Sequence, residues 1–550
     1  MDIGRIEGAH PQRLPAAPGG QKEEGPGPPQ GDSVQLSPSP RAEPASLPIT
    51  LDVGGKTVEK TIKGIVNDHE LVLEIKHTND IHGNMASTAT YIKPDDFWVD
   101  AGDAWQDYTF NSVLAGGQRE VDIMNRRDCD IATTGNHFYD DEGLQGGQKL
   151  IESSQFPYVS TNTEGMVPYL TAEVEGAKIA FIGVRTPQKK FLMVDPSRVK
   201  DLELTDPVEA VKKAVEEVTS KGIRNIVVLS HLGLEPSPEF HENTPTDKDL
   251  AAKVPGIDLI IGGHSHTPTP EKLEINGATI VQAGIGAHSD VKTDDLYLGE
   301  LKLHIDRASQ KIVSVEHRLI PVDRNITPDS DIQAIIDRYR RNEEEALSRK
   351  IGTMGRVMTH ELKTATDSPL GNLITDAMRK RTGADVAVLD SSFFSDRKDA
   401  APAVLPKGEI TMKSLVALSP WMGKSLDARV ETWDVKGSDI RRLLEEGVSK
   451  LLGSKKDQGL YQVSGLAMAY VPKNAEGSRV TEVSIGGKPM DPDKSYRLTT
   501  TYIVGNWNPL FAGRDESTVT DGPRLRLLVA DHLKQAGVIK GPEGGRIRQA

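Results

Sequence analysis

Six short apolar runs between residues 71 and 263 constrain this chain more than any other feature. They are LVLEI (71–75), FWVDAGD (97–103), DIATTG (130–135), KIAFIGV (178–184), NIVVLS (225–230) and DLIIGG (258–263). Each has the length of a strand and is too short for an ordinary helix. Helix-like stretches lie between several of them. In 208–222, Val208, Val211, Val215 and Val218 recur at helical spacing, and Gly222 stands near the end. Strands alternating with helices imply an α/β layered domain.

The rest of the 550 residues extends beyond what one core needs, so several domains are expected. Residues 1–48 are rich in Pro, Gly, Ser and charge. They carry too little apolar surface to offset the entropy of ordering, which predicts a disordered tail. Residues 49–70 are transitional, with a β-like ITLDV at 49–53, and the first domain is taken as 49–325. The charged segment 328–350 carries Ile332, Ile335 and Ile336, and 326–350 reads as a helical linker. A second domain, 351–540, has an α+β pattern. Its helix at 368–383 opens with Ser368 as cap and Pro369 in the first position and stops at Gly383. DVAVL (385–389), LAMAYV (466–471) and SYRLTTTYIV (495–504) read as strands, and GSDIRRLLEEGV (437–448) as a second capped helix. No internal repeat is visible.

The function classes narrow next. Hydrophobic residues at 37% and charged residues at 27% fit a soluble globular protein. A net charge of −14 fits poorly with non-specific binding to a phosphate backbone, so no nucleic-acid partner is expected. The single cysteine, Cys129, excludes an intrachain disulfide and a cysteine-based zinc site. No apolar run approaches the ~18 residues of a membrane span. Residues 1–20 lack the apolar centre of a secretory signal, so the expected location is the cytoplasm, with no membrane partner.

Five segments carrying Asp, His and Asn follow predicted strands. HTNDIHGN (77–84) offers Asp80 and His82, and DAGD (100–103) ends in Asp103. TGNH (134–137) offers Asn136 and His137, LSHLG (229–233) offers His231, and GGHSHT (262–267) offers His264 and His266. Residues two apart at an extended strand end point the same way, so Asp80 with His82, and His264 with His266, can each reach one cation. Taken singly, each has a plain structural reading: a turn Asp, a turn Asn, a helix-capping His, a surface loop. Taken together, they match the rule that ligands gather at the carboxyl ends of strands in open α/β sheets. Gly135, Gly262 and Gly263 permit close backbone approach near an ion. Nitrogen and oxygen ligands without sulfur suit Zn, Mn, Fe or Co. Seven candidate groups are too many for one ion, and two divalent metal ions sharing a carboxylate is the economical arrangement. Such pairs clamp the attacking and leaving oxygens in displacement at phosphorus.

The order D-x-H, GD, GNH, H, GHxH resembles the calcineurin-like metallophosphoesterase superfamily. Within it, the opening HTNDIHG (77–83) is similar to the 5'-nucleotidase family, as are SPLGNLITDAMR (368–379) and GLYQVSGLAMAYVP (459–472). The resemblance covers roughly residues 70–535. It implies a four-layer α/β/β/α metallophosphoesterase domain followed by a smaller α+β substrate-binding domain. It further implies one metal held by Asp80, His82, Asp103 and His266, and a second by Asp103, Asn136, His231 and His264. A hydroxide between the metals would attack phosphorus in line. His137 would stabilise the transition state or protonate the leaving oxygen, oriented by Asp140.

This chain departs from the family pattern in two places. GNHFYD (135–140) has Phe138 where the family has a Glu that is not a ligand. LDSSFFSDR (389–397) replaces a glycine-rich segment that carries a substrate arginine, leaving Arg397 as the candidate. The family stacks a nucleobase between two aromatics. The candidates are Trp421 in SPWMGKS (419–425) and Trp507 or Phe511 in NWNPLFAGRD (506–515); for each, ordinary packing is the competing reading. The expected partner is a small-molecule phosphate ester, a nucleotide first. The alternatives are another substrate on the same scaffold (a 2',3'-cyclic nucleotide, a nucleotide sugar or a thiosulfate ester) and a non-catalytic binding protein.

Overall fold

The computed structural model describes residues 44–550 except 106–113, 141, 188–198, 236–243, 284–295, 395–401, 419–428, 454–458, 502–503, 506–507, 509, 512–519 and 543. Residues 1–43 of the segment expected to be disordered lie outside this set. Its last residues do not fit the expectation, because strand β1 (Ala45–Val53) starts at Ala45. Leu47, Ile49 and Leu51 alternate inward and are buried, so the segment has the apolar face that ordering requires.

β1 pairs antiparallel with β2 (Lys56–Val66), and this hairpin lies mid-way along one continuous 14-stranded sheet whose two arms fold over a shared core as two layers. β2 leads into β3 (Glu70–Thr78), which continues in parallel through β4 (Phe97–Asp100), β5 (Ile131–Thr133) and β6 (Tyr158–Val159). β1 leads the other way, through β7 (Tyr169–Val174) to β8 (Ala177–Arg185), β9 (Asn225–His231) and β10 (Leu259–Ile261). β11 (Leu273–Ile275) and β12 (Ala278–Val281) close that side. β13 (Tyr297–Asp306) pairs with β3 and with β14 (Lys311–Pro321).

Strand alternation sorts the apolar residues into layers. Val99 of β4, Phe181 of β8, Val227 of β9 and Leu259 of β10 share one core between the sheets. Trp98 and Ala132 face a second core with Val121 and Met124 of helix Gln118–Arg126. Ile182, Val228 and Ile260 face a third core with the helix Pro207–Ser220, whose Val208, Val211, Val215 and Val218 are all buried. The order helix, sheet, sheet, helix is the expected four-layer α/β/β/α domain.

The helix Ser330–Ser348 follows β14. Ile332, Ile335 and Ile336 pack on the first domain, and the buried Arg127 pairs with Asp329 and Asp331. Ala346 and Leu347, near its end, pack on the core of the second domain. That domain has a five-stranded sheet in the order Gln462–Ser464, Val386–Leu389, Ser495–Thr501, Arg429–Lys436, Thr520–Arg524. Its helix Pro369–Thr382 begins as expected: the Ser368 side chain accepts from the Gly371 N–H, and Gly383 ends it at φ 66°. The helix Gly437–Leu452 differs from expectation. Lys436 precedes it, no side chain caps it, and the Gly437 and Ser438 N–H groups donate instead to the carbonyls of Lys494 and Pro492. Neighbouring backbone there does the work of a capping side chain. Among the described residues, no helix is long and apolar enough to cross a membrane.

Candidate metal centre

Two runs of parallel strands end at one place. β3, β4 and β5 deliver Asp80, His82, Asp103, Asn136 and His137; β9 and β10 deliver His231, His264 and His266. All are buried or nearly so. The chain turns sharply beyond each strand: Asp80, His82, Asp103, His264 and His266 have φ of 51°, 42°, 55°, 80° and 51°. Non-glycine residues seldom adopt this left-handed region, and here it folds each side chain back toward the sheet ends. Gly135 allows the closest approach. A Cβ there would lie 1.9 Å from Asp103 Oδ1. Gly263 is likewise close, with a Cβ placed 3.0 Å from His231 Nδ1.

Three overlapping groups bring their ligand atoms within 4.8 Å of one another: Asp80, His82 and His266; His82, Asp103 and His137; Asp80, Asp103 and His231. His231 Nδ1 donates to the Ala101 carbonyl at 2.7 Å. Its Nε2 faces two oxygens, Asp103 Oδ2 at 2.9 Å and Asn136 Oδ1 at 3.2 Å. An imidazole whose Nδ1 carries a proton can serve oxygens at Nε2 only as a cation, or as one of three donors around a metal. Histidine ligands in metal sites commonly give their other N–H to such a carbonyl. His82 Nε2 and His266 Nε2 face each other at 3.1 Å, with Asp80 Oδ1 3.5 Å from His266 Nε2. Two imidazole nitrogens meeting beside a carboxylate also suit a cation. The donor set therefore fits divalent metal, with Asp80 and Asp103 at its centre.

The electrostatics show how tightly these groups are coupled. Burial alone would raise Asp103, but His231, His137 and His82 hold its carboxyl well below the usual range. Burial would lower His231, yet Asp103 at contact distance raises it to about 9. Burial, then His266 and His137, push His82 down to about 3. Burial, then His231, push His264 well down. Asp103 is thus a fixed negative charge, while His82 and His264 present neutral lone pairs.

His137 has different surroundings. Its Nδ1 donates to Asp140 Oδ2 at 2.5 Å, and its backbone N–H donates to Asp103 Oδ1 at 3.0 Å. Burial opposes its protonation, but Asp140 and then Asp103 raise its pKa above the ordinary value. Phe138, which stands in place of the family's Glu, turns into an aromatic cluster with Trp105 and Tyr158, at ring distances of 5.2 and 5.0 Å.

The structure adds residues that the motifs did not assign. Asn79 Nδ2 donates to Asp80 Oδ2 at 2.7 Å. Asp100 accepts from Thr78 Oγ1 at 2.6 Å and from the Gly102 N–H at 3.0 Å, bracing the β4 turn. Both lie inside segments already singled out. Arg185 has no motif; the parallel register places it at the end of β8 beside His231. It is fully buried, and its guanidinium lies 5.3 Å from the Tyr139 ring centroid.

The second-domain candidates fare differently. Arg397, Trp421 and Trp507 lie outside the described residues. Phe511 is buried in the second-domain core, its ring 5.1 Å from that of Trp433. That placement is the ordinary packing given as the competing reading for this residue.

Comparison with known proteins accords with this geometry. Residues 73–268 match the calcineurin-like phosphoesterase family, and residues 350–509 match the 5'-nucleotidase C-terminal domain. The chain is 30% identical over 468 residues to Endonuclease YhcR of Bacillus subtilis; the match takes in 80% of this chain but only 36% of that longer protein. It is 24% identical to the snake venom 5'-nucleotidase of Gloydius brevicauda, covering 92% of this chain and 93% of that one. In fold it is similar to a putative 5'-nucleotidase from Staphylococcus aureus, with a TM-score of 0.60, 19% identity, and 86% and 99% of the two chains covered.

Proposed function

Because this chain belongs to the 5'-nucleotidase family, a calcineurin-like phosphoesterase domain joined to a 5'-nucleotidase C-terminal domain, we propose that it hydrolyses phosphate esters, nucleoside 5'-phosphates first among them. The observation that carries this reading is His231, whose Nε2 faces the oxygens of Asp103 and Asn136 while its Nδ1 is committed to Ala101. We assign Asp80, His82, Asp103 and His266 to one divalent ion, and Asp103, Asn136, His231 and His264 to the other. Bound there, two such ions supply Lewis acidity toward a phosphoryl oxygen and make water nucleophilic at neutral pH.

The side chains supply the rest. Asp140 fixes the His137 ring by taking its Nδ1 proton in a hydrogen bond, which leaves Nε2 to give a proton to the departing ester oxygen. The raised pKa of His137 keeps that proton available near neutrality. Burial around the centre excludes bulk water and strengthens each charge. Trp421 and Trp507 remain the candidates for stacking on a base, and Arg397 for pairing with the substrate.

Substrate choice is the open part of the proposal. The segment 389–397 lacks the family's glycines, which favours testing other esters on the same scaffold. A panel of AMP, UDP-glucose, 2',3'-cyclic AMP, a thiosulfate ester, single-stranded DNA and bis-p-nitrophenyl phosphate, assayed with Mn²⁺, Zn²⁺ or Co²⁺, decides. Release of phosphate from AMP as the preferred reaction is the expected outcome. Preference for another ester moves the assignment within the scaffold. Absence of hydrolysis across the panel, with no metal uptake, refutes it.

A further inference from the structure

Behind the histidine ligands lies a second layer of buried polar groups that no metal would touch. Asp247, the first residue of the helix Asp247–Lys253, is fully buried, as are Ser230 and Gln282. Asp247 Oδ1 accepts from Ser230 Oγ at 2.5 Å, and Oδ2 accepts from Gln282 Nε2 at 2.9 Å. Gln282 Nε2 also donates to the Gly263 carbonyl at 3.3 Å, and its Oε1 accepts from Ser265 Oγ at 3.2 Å. Ser265 Oγ in turn accepts from the Leu234 N–H at 3.0 Å. One residue on, the Ala283 N–H donates to Asn79 Oδ1 at 2.8 Å, and Asn79 holds Asp80.

These bonds reach every element of the histidine side of the centre. Ser230 precedes His231; Gly263 and Ser265 flank His264; Ser265 precedes His266. The packing leaves no slack, for a Cβ on Gly262 would lie 2.2 Å from Asp247 Oδ2 and 2.7 Å from Gln282 Nε2. The layer also has a direction. Gln282 meets the Gly263 carbonyl, which can only accept, and Ser265 Oγ, which takes the Leu234 N–H and donates onward, so the amide turns its NH₂ toward Gly263 and Asp247 and its oxygen toward Ser265. In that orientation alone the amide reaches both the Gly263 carbonyl and the Ser265 hydroxyl. His264 keeps its left-handed φ of 80° between these two anchors, and His266, at 51°, directly follows the second.

We propose that Asp247 and Gln282 act as a carboxylate–amide clamp that positions His231, His264 and His266 for the metals. Asp247 is a positioning residue; it acts through Ser230 and Gln282 and touches neither metal nor substrate. The clamp rests on the two-ion reading above, and the test keeps the two apart. Asp247→Asn preserves shape but keeps only one acceptor atom for two donors, so it must either reverse the bond to Ser230 or lose the one from Gln282. Ser265→Ala removes one hydroxyl and leaves the carboxylate in place.

Affinity for Mn²⁺ is measured by competition with a chromogenic chelator, and melting of the metal-free protein is recorded on the same samples. Outer-layer partners of metal ligands typically account for 10–100-fold in affinity. We expect Asp247→Asn to bind Mn²⁺ at least 10-fold more weakly while the metal-free protein melts within about 4 °C of wild type. For Ser265→Ala we expect a loss of about 2- to 10-fold. Folded Asp247→Asn with wild-type affinity overturns the clamp, as does an affinity loss fully accounted for by unfolding. If Asp247→Asn does not fold, wild-type affinity in Ser265→Ala overturns it instead. A wild-type protein that takes up no Mn²⁺, Zn²⁺ or Co²⁺ overturns the two-ion reading itself, and the clamp with it.

Discussion

Gly135→Ala is the most direct perturbation of the centre. Gly135 has φ −93° and ψ −175°, an extended conformation that alanine adopts freely, so the substitution adds one methyl group and no backbone strain. That methyl would lie 1.9 Å from Asp103 Oδ1, 2.4 Å from Asp103 Cγ and 2.8 Å from the Asp103 amide nitrogen. Real contacts of this kind stay beyond 3.0 Å, so the carboxylate must retreat by about 1 Å. It cannot do so without losing His231 Nε2 at 2.9 Å or the His137 N–H at 3.0 Å. A misplacement of about 1 Å at a reacting centre lowers rate by about 100-fold. We expect at least that loss in kcat/KM on bis-p-nitrophenyl phosphate, together with fewer than two bound metals per chain, while the far-UV circular dichroism is retained. Wild-type turnover with two metals per Gly135→Ala chain would show that Asp103 is not the shared ligand.

Further outcomes follow from the same structure. Asp103→Ala removes one of the two carboxylates that each belong to two of the three ligand groups and is expected to abolish metal uptake and turnover together, read by metal analysis and hydrolysis. His137→Ala is expected to keep both metals and lose about 10²- to 10⁴-fold in kcat, the usual share of general acid catalysis; unchanged turnover removes His137 from the mechanism. Arg127→Met leaves Asp329 and Asp331 without their buried partner and is expected to destabilise the helix Ser330–Ser348 by about 1–3 kcal/mol, read by urea denaturation. Asp130 lies away from the ligands, and burial raises its carboxyl to about 7, with Lys60 opposing. Its folded pKa exceeds its unfolded one, so the folded state holds a proton that the unfolded state has lost. Its contribution is therefore full below about pH 4 and fades up to about pH 7, by up to about 1.4 kcal/mol per pH unit. Asp130→Asn is expected to flatten that slope in urea titrations between about pH 4 and 7.

What the sequence made legible was whatever depends on local pattern. Val208, Val211, Val215 and Val218 announced a helix and its buried face, and Ser368, Pro369 and Gly383 marked both ends of another. The candidate ligands were readable because each sits in a short motif just beyond an apolar run. Asp247 and Gln282 were not, since an Asp opening a short helix and a Gln after a strand look ordinary until the fold brings them to Gly262. Arg185 was hidden in the same way at the end of β8. The start of β1 was missed because Leu47, Ile49 and Leu51 become a buried face only when β2 and β7 lie beside them. The capping expectation for 437–448 failed for a related reason: the partners of Gly437 and Ser438 come from Lys494 and Pro492, more than fifty residues later. Nothing local in NWNPLFAGRD reveals that Phe511 packs against Trp433.

The backbone at the centre carries a cost that clarifies how the site is built. Nine non-glycine residues among those described have left-handed φ, and five of them are candidate ligands. Glu175 and Asn276 each precede a glycine in a tight hairpin turn, where this geometry is ordinary. The five at the centre have no such turn to serve. Residues held this way cost roughly 1–3 kcal/mol each, so together they approach the whole stability of a typical domain, about 5–15 kcal/mol. They persist because they hold one another. The Asp80 N–H donates to the Gly102 carbonyl, the His82 N–H to the Asp103 carbonyl, and the His264 N–H to the Asp80 carboxylate. Releasing one turn removes an anchor from the next, so substitutions at Asp80, Asp103 and His264 should be strongly non-additive.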